Sequence, residues 1–512
     1  MLIKTYAAAV EGISARQITI ETHTDRGILF SIVGLADAAV RESKQRITAA
    51  VQVNKMRFPR MRITINMAPA NIRKEGSAYD LPLAIGILQA GKEIEVKNLD
   101  KYMIMGELSL DGSLLPIKGA LPIAIMAREK GFEGLIVPKA NACEAAVVNK
   151  LKVIGAENII DVIEFLKGER LIEPTVVNTR KDFFEQQQSF DLDFCDVRGQ
   201  ENVKRAMEVA ASGGHNLIMV GPPGSGKSMM AKRLPSILPP FSLNEALETT
   251  KIHSVAGKIN DGSALMNKRP FRSPHHTISN VAMVGGGASP QPGEISLAHN
   301  GVLFLDELPE FNRSVLEVLR QPLEDRVISI SRARFCVEYP ASFMLVASMN
   351  PCPCGYYNHP TRPCVCSPGV VQKYMNRISG PLLDRIDIQI EITPVPFKEI
   401  SNPFDAEHSA VIRQRVIEAR KVQEERFKTE EGIYCNAQMN TRLLHKYAVP
   451  DEESLIQLRT AMERFNLSAR AYARILKVAR TIADLDHSEK IKKEHISEAI
   501  LYRNLDRSTW GE

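Results

Sequence analysis

A glycine-rich segment of this chain has the residue types and the spacing that bind a phosphate. It consists of Gly221, Pro222, Pro223, Gly224, Ser225, Gly226, Lys227 and Ser228, and it matches the pattern G-x-x-x-x-G-K-[ST]. In such a loop the backbone N–H groups wrap phosphate oxygens, the lysine neutralises their charge and the serine hydroxyl ligates Mg²⁺. An apolar strand is predicted before the segment and a helix after it, as the motif requires. The segment therefore predicts a nucleoside triphosphate bound together with Mg²⁺.

Polar residues after two further apolar runs supply the rest of such a site. Asp306 and Glu307 follow the run 302–305, and Asn350 follows the run 343–349. We expect Asp306 to hold the hydrated Mg²⁺ and Glu307 to polarise the attacking water. Asn350 is expected to orient that water or the γ-phosphate, although an asparagine after a strand is by itself more often a turn residue.

Four of the eight cysteines lie within fifteen positions, at Cys352, Cys354, Cys364 and Cys366. Four thiolates suit a structural Zn²⁺ with tetrahedral geometry. The one-residue spacing inside each pair is tighter than usual, so His359 is an alternative fourth ligand. Reduced surface thiols or a redox pair are the other interpretations of the cluster.

The elements that position these residues fall into three parts. Residues 1–170 alternate short β-branched runs with helical patterns and predict a mixed α and β domain, and residues 171–194 lose periodicity and predict a linker. Residues 195–400 alternate strands and helices, which predicts a parallel sheet with its ligands at the carboxyl ends of the strands. Residues 401–512 show helical periodicity almost throughout. The fold class is therefore a multidomain α/β protein with a helical C-terminal part.

Composition excludes several classes of protein. The 512 residues are 44% hydrophobic and 24% charged, as in an ordinary globular protein, and the net charge of +5 leaves any nucleic-acid surface a local feature. No apolar run reaches the roughly 18 residues that a membrane helix needs, and the first residues make a poor secretory signal. We expect a cytoplasmic protein with no membrane partner.

The order of the motifs resembles the YifB/ComM family, the magnesium-chelatase-like AAA+ ATPases of bacteria. The resemblance rests on the phosphate loop, on L-F-L-D-E-L, A-S-M-N-P-C-P-C-G and S-G-P-L-L-D-R-I-D, on S-A-R-A-Y-A-R, and on the long segment R-P-F-R-S-P-H-H-T-I-S. It implies an ATP-hydrolysing AAA+ core of the helix-2-insert clade, a helical lid and a homohexameric ring. Asn350 then falls at the sensor 1 position, Arg385 at the arginine-finger position and Arg470 at sensor 2, with Arg474 a rival one turn later.

The N-terminal domain resembles the fold of the Lon protease C-terminal domain. Lon proteolysis needs a serine activated by a lysine, and the matching positions here hold Ala78 and Ile123. Shifting the alignment by one residue restores a serine, Ser77, but no lysine. We therefore expect a non-proteolytic domain, a structural or DNA-contacting platform.

The resemblance also implies a motor that acts on single-stranded or branched DNA, a helicase for branch migration in recombination or natural transformation. Basic residues in two segments peculiar to the clade are the expected backbone contacts: Lys268, Arg269, Arg272, His275 and His276 in the first, and Arg332 and Arg334 near the tip of a hairpin starting at Val327 in the second. A magnesium-chelatase motor subunit and an ATP-dependent protein-remodelling enzyme or protease remain the alternatives.

Overall fold

Two large β-sheets and a C-terminal group of helices make up the protein in the computed structural model. The structure describes residues 1–177, 190–259, 264–287, 290–332, 335–395, 406–430, 432–465 and 467–503, with the side chains of residues 332 and 335 excepted. The boundaries expected near residues 170, 195 and 400 remain predictions, because much of both connecting stretches lies outside these ranges.

The N-terminal part is a mixed seven-stranded sheet with helices packed against it. Its strand order is β3-β4-β2-β1-β5-β8-β9, and only the β1–β2 and β2–β4 pairs are antiparallel. The strands, including the separate β6–β7 pair, are β1 (Leu2–Glu11), β2 (Ser14–Asp25), β3 (Phe30–Val33), β4 (Arg62–Ala68), β5 (Tyr102–Ile104), β6 (Glu107–Leu108), β7 (Leu114–Leu115), β8 (Gly134–Pro138) and β9 (Lys152–Ala156). The helices are α1 (Ala38–Val53), α2 (Asp80–Ala90), α3 (Ala120–Glu129), α4 (Lys139–Ala145) and α5 (Ile159–Lys167).

The central part is built on a five-stranded parallel sheet, as the alternating pattern predicts. Its strand order is β11-β14-β17-β10-β18. The strands of this sheet are β10 (Leu217–Val220), β11 (Phe271–Arg272), β14 (Val302–Leu305), β17 (Met344–Met349) and β18 (Ile388–Glu391). The helices of the central part are α6 (Glu201–Gly213), α7 (Lys227–Ile237), α8 (Leu243–Ala256), α9 (Asn280–Val284), α10 (Glu294–Leu297), α11 (Arg313–Glu317), α12 (Arg320–Asp325), α13 (Pro368–Met375) and α14 (Gly380–Leu383).

Two small hairpins interrupt this core. The first, β12 (Gly285–Gly286) with β13 (Gln291–Pro292), lies between α9 and α10. The second, β15 (Val327–Arg332) with β16 (Phe335–Pro340), lies between α12 and β17 and is the hairpin that the sequence predicts. Its tip, including Arg334 and the side chain of Arg332, lies outside the described residues, so its predicted DNA contacts stay a prediction.

The C-terminal part is helical where it is described. It comprises α15 (Ser409–Phe427), α16 (Thr441–Tyr447), α17 (Glu452–Phe465), α18 (Ala469–Leu485) and α19 (Lys493–Leu501). Alternate residues of the central strands explain how it is held: Leu217 and Met219 share an apolar core with these helices, whereas Ile218 and Val220 face a second core on the other side. A parallel sheet is covered on both faces in this way, and its strands are therefore apolar throughout.

None of the described helices is both long enough and apolar enough to cross a membrane.

Candidate ATP site

The glycine-rich segment forms a tight loop between β10 and α7. Gly224 and Gly226 have φ angles of +80° and +88°, a region that residues with a Cβ rarely occupy. Helix α7 begins at Lys227, directly after the loop, so its first N–H groups and its dipole point toward the loop. The loop therefore has the geometry that an anion at a helix N-terminus requires.

The ammonium of Lys227 is buried inside this loop. Its Nζ donates to the carbonyl oxygens of Gly221 at 2.7 Å and Pro222 at 2.9 Å, and to Oδ1 of Asn350 at 3.2 Å. Burial lowers the pKa of Lys227, and the nearby carboxylates of Asp306 and Glu307 act against that shift. A triphosphate bound in the loop would place negatively charged oxygens beside this buried ammonium group.

The residues expected to hold Mg²⁺ lie together, Ser228 in the first turn of α7 and Asp306 directly after β14. Ser228 Oγ donates to Asp306 Oδ2 at 2.6 Å, and Ser348 Oγ donates to the other carboxylate oxygen. A hydroxyl and a carboxylate are oxygen donors of the kind that Mg²⁺ prefers, so this donor set fits the ion. The sequence analysis missed Ser348; its signal is its place one residue before the end of β17.

Glu307, the residue expected to polarise the attacking water, directly follows Asp306 after β14. Glu307 has a left-handed φ of 54°, and its side chain is 57% exposed, with His276 Nδ1 3.8 Å from Oε2. A non-glycine residue in this conformation is uncommon and is found mostly where surrounding structure enforces it. The strained backbone turns the Glu307 carboxylate toward solvent, where a water molecule can reach it.

The structure does not bring Arg385 or Arg470 to this loop. Arg385 is buried, and its guanidinium donates to Pro381 O at 2.5 Å and pairs with Glu324 Oε1 at 2.6 Å. Arg470 is 62% exposed and lies 3.8 Å from Asp384. Both arginines lie near the amino-terminal end of β18, whereas the phosphate loop follows the carboxyl end of the parallel strand β10. The two arginines therefore lie near the amino-terminal ends of the strands, whereas the subunit's own phosphate loop lies at their carboxyl ends.

Arg474, the rival of Arg470, belongs to a buried ionic network that the sequence analysis missed. Its guanidinium donates to Asp387 Oδ1 at 2.9 Å, and the other oxygen of Asp387 lies 3.4 Å from His215 Nδ1. Although burial opposes its ionisation, the charge of Arg474 and the hydrogen bond from His215 keep the pKa of Asp387 below its usual range. Arg474 thus fixes α18 to the sheet, and Arg470 is the sensor candidate that remains exposed.

Two of the five basic residues expected to contact DNA in the first segment have acidic partners within the protein. Arg269 pairs with Glu245 at 3.0 Å and stacks on Phe241, and Arg272 pairs with Glu294 at 2.6 Å. These two arginines hold the segment onto α8 and α10.

The four clustered cysteines lie together, as their spacing predicts. Their Sγ atoms are all within 4.8 Å of one another, and Cys352 is fully buried. The set contains no histidine: His359 Nδ1 instead accepts from the backbone N–H groups of Thr361 and Arg362. Four sulfur ligands at this separation fit a tetrahedral Zn²⁺.

The N-terminal domain shows no chemistry at the two positions matched to a protease. Ala78 is partly buried against the N-terminal core, and Ile123 is 1% exposed within it. Neither side chain carries a nucleophile or a base.

A parallel sheet with a phosphate loop after one strand, and with a carboxylate pair and an asparagine after two further strands of the same sheet, defines a P-loop ATPase of the AAA+ class. Comparison with known families agrees. The chain matches sequence models described as "Magnesium chelatase, subunit ChlI" over residues 193–400, "Subunit ChlI of Mg-chelatase" over 20–141 and "Magnesium chelatase, subunit ChlI C-terminal" over 406–503.

Individual relatives narrow the assignment. The chain is 41% identical to "Competence protein ComM" of Haemophilus influenzae and 42% identical to "Uncharacterized protein YifB" of Escherichia coli, in each case over 98% of this chain and 97% of the relative. It is 22% identical to "DNA replication licensing factor mcm7" of Schizosaccharomyces pombe over 61% of this chain and 40% of that protein. The chain belongs to the YifB/ComM family of magnesium-chelatase-like ATPases, and it is an ATPase motor.

Proposed function

We propose that this ATPase is a homohexameric ring motor that moves DNA, a helicase that promotes branch migration in recombination or natural transformation. The observation that carries the proposal is that Arg385 and Arg470 lie near the amino-terminal end of β18, away from the phosphate loop that follows β10. A site that needs these arginines would take them from another subunit, and strand β17 joins the site to the β15–β16 hairpin. The relatives support the choice of DNA, since one is named a competence protein and another a DNA replication factor.

The chemistry of hydrolysis divides among residues of two subunits. Gly221–Ser228 cradles the triphosphate, Lys227 neutralises its charge, and Ser228 and Asp306 would hold Mg²⁺, which draws negative charge from the phosphate oxygens. Glu307 takes a proton from the attacking water, and Asn350 orients it. Arg385 and Arg470 act on the neighbouring subunit's ATP, because they lie at the opposite end of the strands from their own phosphate loop.

Strand β17 provides a path from the ATP site to the hairpin. Ser348 and Asn350 lie at its carboxyl end, and the hairpin joins its amino-terminal end through Ala341–Phe343. Arg326, at the base of the hairpin, donates to Phe343 O at 3.0 Å and fastens the two together. A shift of strand β17 on hydrolysis would therefore move the β15–β16 hairpin.

The β12–β13 hairpin between α9 and α10 supports membership of the helix-2-insert clade, and the C-terminal helices serve as the lid.

The test is steady-state ATP hydrolysis with and without single-stranded, duplex and forked DNA, with Glu307→Gln as the blank. We expect DNA to stimulate hydrolysis in the wild type alone, and Lys227→Ala to lose all nucleotide-dependent activity. Hydrolysis indifferent to every DNA would contradict the proposal.

A second experiment tests the hairpin. Arg332→Ala with Arg334→Ala should weaken DNA binding and leave basal hydrolysis unchanged, because phosphate contacts come from cations. A matched control replaces two exposed lysines of the C-terminal helical part, Lys421 and Lys490, with alanine and should bind DNA normally. Normal DNA binding by the arginine variant would exclude the hairpin as the contact.

Two other functions are tested by the same protein. The family descriptions favour a magnesium-chelatase motor subunit as the alternative, and that function predicts ATP hydrolysis without any response to DNA. A protein-remodelling enzyme or protease would degrade or unfold casein. We expect no degradation, because Ala78 and Ile123 leave the Lon-like domain without a nucleophile and base.

A further inference from the structure

The segment between β17 and α13 has almost nothing apolar to order it. Residues 350–367 contain no helix or strand, and of these residues only Pro351, Cys352 and Gly355 are buried. A loop of this length without secondary structure is uncommon in a compact domain and needs another source of order. The four cysteines are the feature that its two ends share.

The sulfur atoms have the separation that a shared metal ion imposes. The Cys352 and Cys354 Sγ atoms are 3.3 Å apart, and Cys364 Sγ lies 3.7 Å from the first and 3.5 Å from the second. A tetrahedral Zn²⁺ with bonds of about 2.3 Å to sulfur places its ligands about 3.8 Å apart. The thiols are not joined as disulfides. Neutral thiols form only weak hydrogen bonds, which do not explain four of them converging.

The cysteine segment also borders the ATP site on two sides. Cys352 is two residues after Asn350, whose Oδ1 accepts the hydrogen bond from Lys227. Gly355 packs so closely on the phosphate loop that a Cβ added to it would lie 2.5 Å from Pro223 Cδ. Whatever fixes the sulfur cluster therefore fixes one wall of the nucleotide site.

We propose that Cys352, Cys354, Cys364 and Cys366 bind one structural Zn²⁺, and that this ion holds Asn350 and the phosphate loop in the geometry that ATP hydrolysis requires. The cysteines bind as thiolates and release their protons to solvent when the metal enters. The part concerning hydrolysis rests on the proposed role of Asn350; the metal site stands without it. The ion is a positioning element, because it does not touch the reacting atoms.

The first measurement is metal content, by mass spectrometry of protein purified without chelators. Wild type and Cys143→Ser, a control outside the cluster, should each carry about one zinc per chain, and Cys364→Ser with Cys366→Ser should carry none. Cys366→His should keep the metal, since imidazole is also a zinc ligand. If wild-type protein purified under reducing conditions contains no metal, or if these cysteines are joined by disulfides, the proposal is overturned and a redox pair is favoured.

The second measurement separates binding from chemistry. In the metal-free double variant kcat for ATP hydrolysis should fall about 100-fold, as expected for a displacement of about 1 Å in an orienting group. The Kd for ATP should change by a smaller factor than kcat. The other domains should still unfold cooperatively on heating. Cys366→His, which keeps the metal, should retain a kcat close to that of the wild type. An unchanged kcat in the metal-free variant would refute the coupling, whereas wild type that carries zinc but hydrolyses no ATP would refute the proposed function and leave the metal site intact.

Discussion

Loss of the Arg385 side chain should abolish hydrolysis by the neighbouring subunit and leave the subunit's own site intact. Strands β10 and β18 run parallel in register, with Leu217 opposite Ile388 and Val220 opposite Glu391. Four residues of strand span about 13 Å, so Arg385, before β18, lies at least that far along the sheet from the loop after β10. Its guanidinium is also held by an ion pair with Glu324 at 2.6 Å.

The magnitudes follow from this separation. An arginine finger contributes about 10³-fold or more to hydrolysis, so Arg385→Ala alone, like Glu307→Gln alone, should be nearly inactive. In a random equimolar ring of the two variants, about a quarter of the junctions unite the Glu307 of one subunit with the Arg385 of the other, and activity should recover to that fraction. The fold should survive, because Glu324 is 48% exposed and can be hydrated, with a cost of about 1–2 kcal/mol.

The assay is steady-state ATP hydrolysis across mixing ratios, at concentrations where the ring forms. Mixing Arg385→Ala with the double variant Arg385→Ala and Glu307→Gln is the control and should give no recovery, because no junction then contains the arginine. Wild-type activity of Arg385→Ala alone, or no recovery at any ratio in mixed rings, would refute the reasoning that the arginine acts between subunits.

The remaining predictions concern the buried network and the phosphate loop. Asp387→Asn should lower the free energy of unfolding by about 3–5 kcal/mol in urea titrations, because it leaves buried cationic partners without their carboxylate. Because the pKa of Asp387 is lowered in the folded state, the stability that its carboxylate contributes is present above pH ~4, where the unfolded carboxyl is ionised, and is lost as the pH falls further. Asp387→Asn should therefore flatten the dependence of the unfolding free energy on acid pH. An unchanged pH dependence in this variant would contradict the prediction. Gly355→Ala should raise the Kd for ATP by about tenfold, measured by fluorescent-nucleotide titration. The new methyl group would collide with Pro223, and residue 355 has a φ of +84°, which disfavours alanine. Gly369→Ala, where a Cβ has open space, is its control and should bind ATP normally; equal affinities in the two variants would exclude the contact as a constraint on the loop.

The ionic network also joins the C-terminal helices to the central sheet. His215 and Asp387 flank the amino-terminal ends of β10 and β18, and Arg474 and Thr481 reach them from α18. Burial lowers the pKa of His215, which favours the neutral imidazole, and the ring bridges Asp387 and Thr481. Because removing one member leaves others buried and unpaired, the helices and the sheet are expected to move together.

The local features of this protein follow from its sequence. Short local patterns predict the phosphate loop, the acidic pair Asp306 and Glu307, and the helical C-terminal part. These patterns are glycine where φ is positive, an apolar run before a turn, and helical periodicity. The long strand Leu2–Glu11 is harder to find in the sequence, because its exposed and buried residues do not alternate strictly.

Only the tertiary structure decided which distant residues meet. The hydrogen bond from Ser348 to Asp306, the pairing of Arg385 with Glu324, and the choice of Arg474 over Arg470 as the partner of Asp387 each join residues far apart in sequence. Strand order and parallel register fix these contacts, and both are set by burial of apolar faces on two sides of the sheet, which no local pattern records. The same register places Arg385 at the opposite end of the strands from its own phosphate loop, a separation that the sequence alone does not record.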